Sequence, residues 1–82
     1  MKQASPSQLL AVAKLRDALQ HGDLTPLAGV LGMLVPRLHR LLRYDGLERA
    51  EAERIARVGR RYLEVRDQYA RQLERLRVEF GP

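Results

Sequence analysis

A chain of 82 residues is enough for one small domain on a single hydrophobic core, near the lower limit of what folds on such a core. Without cysteine it has no disulfide framework, zinc knuckle or thiol nucleophile, and it fits a reducing cytoplasm. The formal charge of +5 is carried almost wholly by arginine: of 15 basic residues only Lys2 and Lys14 are lysines, and asparagine is absent. That bias suits GC-rich coding or a thermophilic source as well as it suits a nucleic-acid partner.

The stretch Lys2-Gln3-Ala4-Ser5-Pro6-Ser7 lacks the basic-then-apolar order of a secretion signal, and residues 1–5 are expected to be a flexible N-terminus. Ser5-Pro6-Ser7-Gln8 reads as a capping box with proline at the first helical position. It predicts a first helix over about 6–20, with Val12, Leu15 and Leu19 on one side. His21-Gly22 is expected to end it, Gly22 taking the left-handed position.

Asp23 or Thr25 then caps a second helix, predicted over about 26–43, on which Leu27, Leu31, Leu34, Leu38 and Leu41 step by four and three. Pro36 predicts a kink, because it cannot bond the Gly32 carbonyl. Leu24 to Pro36 holds no charged residue, and a helix without an outer charged face is buried all round or covered by a partner. Val30, Met33 and Leu34 are the partner-facing candidates of this segment.

Tyr44-Asp45-Gly46 is the only strong break before a third helix, predicted over about 47–79, with Asp45 and Glu48 as its capping pair. So short a connection makes helices two and three an antiparallel hairpin. The expected fold is therefore all-α, one domain over 1–82, completed by oligomerisation or a partner. The completion is needed because a helix of that length spans roughly 50 Å, more than its neighbours reach.

The third helix has three faces on a helical wheel. Ile55, Val58, Tyr62, Val65, Tyr69, Leu73, Leu76 and Phe80 form one stripe of large residues. Ala52, Ala56, Gly59, Leu63 and Ala70 make a shallow groove beside it. The third face is arginine-rich, with carboxylates interleaved at pairing distance, for example Glu53 with Arg57 and Asp67 with Arg71. Arg66 falls among the apolar residues, where it either extends past them to water or meets a carboxylate from helix one or from a partner. Glu51 falls on the large stripe one turn before Ile55.

No constellation for catalysis is present. His21 and His39 have no carboxylate or cysteine at ligand spacing, so no metal is expected. Ser5, Ser7 and Thr25 serve as caps, and Gly29 and Gly32 belong to no phosphate loop. The leading expectation is a non-enzymatic, cytoplasmic protein-interaction module without a cofactor or small-molecule ligand. It binds itself or a partner helix through Val30, Met33, Leu34, Tyr62, Val65, Tyr69, Leu73, Leu76 and Phe80, with the aromatic residues as anchors. The alternative is a basic subunit of a nucleoprotein assembly that touches RNA or DNA backbone through Arg37, Arg40 and Arg43 and through Arg54, Arg57, Arg60 and Arg61. In outline, with two short helices, a Gly22-Asp23-Leu24 junction and a long charged final helix, most of the chain resembles small flagellar or type III export chaperones. That likeness is one of layout and implies a chaperone-like holder of a partner, with no residue roles carried over.

Overall fold

The computed structural model describes residues 2–81, and among them the regular structure is helical apart from one isolated antiparallel bridge between Gln3 and Glu48. Helix α1 runs Pro6–Ala18, α2 Leu24–Leu31, α3 Val35–Leu41 and α4 Arg49–Phe80, with a short 3-10 turn at His21–Asp23 between α1 and α2.

The Ser5 box forms as its residues dictate. The Ser5 amide donates to Gln8 Oε1 at 2.9 Å, and the Gln8 amide donates to Ser5 Oγ at 3.3 Å. The other end of α1 corrects the expectation. The helix stops at Ala18 rather than near Gln20, with Leu19 in extended conformation. Gly22 does not take the left-handed form; among the described residues Gly32 is the one glycine at positive φ. The chain turns because the Asp23 carboxylate reaches back to accept from the Gln20 amide at 2.8 Å.

The predicted second helix is two helices. Gly32 sits at φ 71°, its amide donating to the Gly29 carbonyl at 3.2 Å and the Met33 amide to the Ala28 carbonyl at 3.0 Å. This pair of bonds is a Schellman ending. The break thus falls at Gly32, and Pro36 occupies the first turn of α3, where a missing N–H costs nothing. The expected kink at Pro36 is therefore replaced by a full interruption between Leu31 and Val35. The leucine series is interrupted with it: Leu27, Leu31, Leu38 and Leu41 are buried, but Leu34, at the junction, is 77% exposed.

The expected hairpin is corrected in the same way. Asp23 at the start of α2 meets Tyr62 and Arg66, and Leu31 at its end meets Arg54, so α2 runs antiparallel to α4. After Gly32 the chain leaves that path. Arg37 at the start of α3 still reaches Glu51 at 3.3 Å, whereas Leu42 just past its end accepts from Arg16 of α1. The principal neighbour of α4 is α1, which runs parallel to it: Ala4 bonds Leu47, Leu15 lies on Gly59, and Ala18 accepts from Arg66.

Glu48 caps α4 in position but its side chain makes no capping bond, so the expected Asp45–Glu48 box is absent. Backbone from the N-terminal segment does that work. The Arg49 amide donates to the Lys2 carbonyl at 3.0 Å, and the Ala4 amide to the Leu47 carbonyl at 2.8 Å. Residues 2–4, read from sequence as part of a flexible end, therefore lie along residues 47–49.

The core joins Val12 and Leu15 of α1, Leu27, Ala28 and Leu31 of α2, Leu38 and Leu41 of α3, Leu42 and Leu47 between α3 and α4, and Ala52, Ile55 and Ala56 of α4. The small-residue face of α4 is what lets α1 approach. A methyl group on Gly59 would overlap the Leu15 side chain, whereas one on Gly29 would meet nothing within 4 Å. Gly59→Ala is expected to lower stability by about 1–3 kcal/mol, overpacking outweighing the gain in helix propensity. Gly29→Ala is expected to raise it by about 0.5–1 kcal/mol. Paired urea unfolding curves check both signs.

Candidate functional site on the projecting helix

Asp23 marks where the bundle ends on α4. Its side chain is buried, and three donors converge on it: Tyr62 Oη at 2.6 Å and Arg66 Nη1 at 2.6 Å, from successive turns of α4, and the Gln20 amide at 2.8 Å. Arg66 also donates to the Ala18 carbonyl at 3.3 Å. Burial by itself pushes the Asp23 carboxyl up, but the bonds from Tyr62, Gln20 and Arg66 together hold it below its ordinary 3.8. The same burial, with the bond to Asp23, pushes the Tyr62 phenol from 10.0 up to about 12. Arg66 thus meets a carboxylate within its own chain.

Past this knot nothing lies over α4. Every described residue from Asp67 to Gly81 is exposed, and the particle is 56 × 24 × 17 Å, the long dimension being that of the projecting helix. On that projection Val65, Tyr69, Leu73, Leu76 and Phe80 are all exposed, Tyr69 at 61% and Phe80 at 76%. A continuous apolar patch of this extent on a small chain is characteristic of an interaction surface. It continues onto the bundle, where Val30, Val58, Tyr62 and Val65 line an apolar groove of about 460 Å³ rimmed by Arg57 and Arg61.

The structure sorts the partner candidates. Val65, Tyr69, Leu73, Leu76 and Phe80 lie together on the projection, and Val30, 62% exposed on the outer face of α2, stands beside the near end of the same surface. Leu34 and the half-buried Met33 line a different depression, between the α2–α3 junction and the start of α4. Tyr62 is an internal strut whose hydroxyl is already spent on Asp23. Sequence reading missed that role, although Gln20 and Asp23 at capping spacing and an arginine on an apolar face were signals of it.

Several candidate phosphate-binding arginines are engaged within the chain. Arg54 donates to the Leu31 carbonyl at 3.0 Å and Arg43 to the His39 carbonyl at 3.1 Å, each satisfying a helix end. Arg37 pairs with Glu51, and Arg61 with Glu64 at 2.9 Å. Arg40, Arg57 and Arg60 are exposed. Along the outer face of α4 the pairs that form are Arg61–Glu64 and Glu74–Arg77, three residues apart, rather than the four-residue pairs expected; exposed pairs of this kind add little.

Among the described residues no group of three or more His, Asp or Glu is placed to hold a metal ion, and no helix is long and apolar enough to cross a membrane. No protein-family model matches the chain, and neither the curated proteins nor the solved structures contain a match.

Because the folded Asp23 carboxyl titrates lower than an unfolded one, its contribution is present above about pH 3.8 and is lost as pH falls through the folded value. Asp23→Asn is expected to cost about 1–3 kcal/mol at neutral pH, and the penalty is expected to shrink on acidification, measured from urea midpoints across the acid range. For Tyr62 the sign reverses: stability held by the protonated phenol is present below pH 10.0 and lost as pH rises toward about 12. Ultraviolet titration is expected to record a phenol ionising at about 12 that Tyr62→Phe removes.

Proposed function

We propose that this chain is a non-enzymatic helical interaction module of the cytoplasm, which binds protein through the apolar face of α4 from Val65 onward. One observation carries the reading. A stripe of large side chains at helical spacing, Val65 to Phe80, is held in water by a helix whose first half is anchored in a bundle. Leaving such a stripe uncovered forgoes roughly 25 cal/mol for each Å² of apolar surface, and a partner surface recovers it. The anchored half of α4 supports the same reading, because it pre-forms the helix and lowers the ordering cost of binding.

The basic-subunit alternative has less support, since Arg37, Arg43, Arg54 and Arg61 are occupied by internal partners. It predicts binding to nonspecific duplex or single strand that falls steeply with salt; none is expected even at low salt.

A photoreactive residue placed in the expressed chain at Tyr69, Leu73 or Leu76 is expected to cross-link to protein. The same residue at Arg71 or Arg75, on the outer face, is expected to give little or none. Equal labelling of both faces, or none on the stripe, would falsify the reading.

A further inference from the structure

The exposed stripe has an internal symmetry. From Val58 the large residues of α4 step 4, 3, 4, 4, 3, 4 through Tyr62, Val65, Tyr69, Leu73, Leu76 and Phe80, a heptad pattern with one four-residue stutter, suited to a nearly straight helix pair. In the exposed part, from Val65 onward, the four outer positions are symmetric about the midpoint between Gln72 and Leu73. Val65 and Phe80 are equidistant from that point, as are Tyr69 and Leu76, with Leu73 beside it.

We propose that the occupant of this face is a second copy of the same chain, its α4 antiparallel to the first across a two-fold axis near Leu73. The proposal rests on the interaction reading above and names the partner. Such an axis sets Val65 of each copy against Phe80 of the other and Tyr69 against Leu76, with the two Leu73 side chains in contact. The smallest residue of the stripe meets an aromatic ring, the size matching that helix packing needs. Phe80 of the second copy also arrives at the mouth of the groove between Val30, Val58, Tyr62 and Val65. A parallel pair would oppose Phe80 to Phe80 and Val65 to Val65. It would also set both bundles side by side, where Ile55 and Tyr62 are already covered by their own chain.

Area and charge favour the same occupant. At the exposures given for Val30, Val65, Tyr69, Leu73, Leu76 and Phe80, these side chains present on the order of 600 Å² per chain. The stems of the flanking Gln68 and Gln72 bring the face close to the roughly 800 Å² per partner of a standard stable interface. A two-fold pairing brings like flanks together. Glu79, on the flank that carries Arg57 and Arg61, falls beside Gln68 of the second copy and within an arginine's length of its Arg61. On the other flank Arg77 approaches Arg66 of the second copy, whose charge is already balanced by Asp23 and Asp67.

The full chain contains no cysteine, so single cysteines report pairing without background. Light scattering up to millimolar concentration is expected to give twice the monomer mass. Under mild oxidation Leu73→Cys is expected to form a linked dimer by itself. Val65→Cys and Phe80→Cys are expected to link when mixed, and Val65→Cys alone is not. Tyr69→Glu with Leu76→Glu is expected to weaken dimerisation by about 100-fold or more while the far-ultraviolet circular dichroism of the bundle persists. Self-linking of Val65→Cys would establish a parallel pair and overturn the proposal. So would a monomer at every concentration, or a dimer indifferent to the double variant. A monomer that still cross-links other proteins from Leu73 or Leu76 would overturn the pairing and leave the interaction reading intact.

Discussion

A buried carboxylate in the turn between α1 and α2 sets how the rest of this chain lies against α4. Asp23 gathers the Gln20 amide, the Tyr62 hydroxyl and the Arg66 guanidinium, and so ties the α1–α2 turn to one level of α4. Each donor has a physical necessity behind it. A desolvated carboxylate is costly unless its oxygens are satisfied, and an arginine on an apolar helix face needs an acceptor. Here the two requirements cancel. Such a buried pair is better understood as a device of register than as a large source of stability.

That register divides α4 into two parts with different physics. Before Arg66 its small residues, Ala52, Ala56 and Gly59, admit α1 and its large ones fill the core. After Arg66 the same large-residue periodicity continues with nothing of its own chain to meet. The arginines follow the same division. Those near the bundle satisfy the ends of helices, as Arg54 does for α2 and Arg16 does for the segment after α3, while those farther along make only exposed pairs. A high arginine content is thus in good part a structural economy, since one planar side chain can close a helix end and remain hydrated.

How much of this was legible beforehand depended on the range of the interaction. The Ser5–Gln8 cap, the existence of the first and last helices and the large-residue stripe from Ile55 to Phe80 follow from residues within a turn or two of one another, and all could be read. The break at Gly32 was misread because Pro36 gave the louder local signal. A proline two residues into a helix and a proline that kinks one look alike until the preceding Schellman bonds are seen. The leucine spacing from Leu27 to Leu41 ran on through the same joint, which turns the chain and leaves Leu34 exposed while Leu31 and Leu38 on either side are buried. Of the candidate site, the residues from Val65 to Phe80 were legible as a stripe; that the Tyr62 hydroxyl is spent on Asp23 and that Met33 and Leu34 lie in a separate depression were not.

By itself, then, the sequence determined the helical class, the length and periodicity of the last helix, and the presence of more apolar surface than its neighbours could cover. Those are properties of short-range spacing and composition, which survive whatever the chain does elsewhere. Only the tertiary structure decided which part of the stripe is spent internally, because that depends on where α1 ends and on a carboxylate about forty residues away in sequence choosing Tyr62 and Arg66. Burial is a property of the whole packing, and a contact between distant residues leaves no period in the sequence to be read.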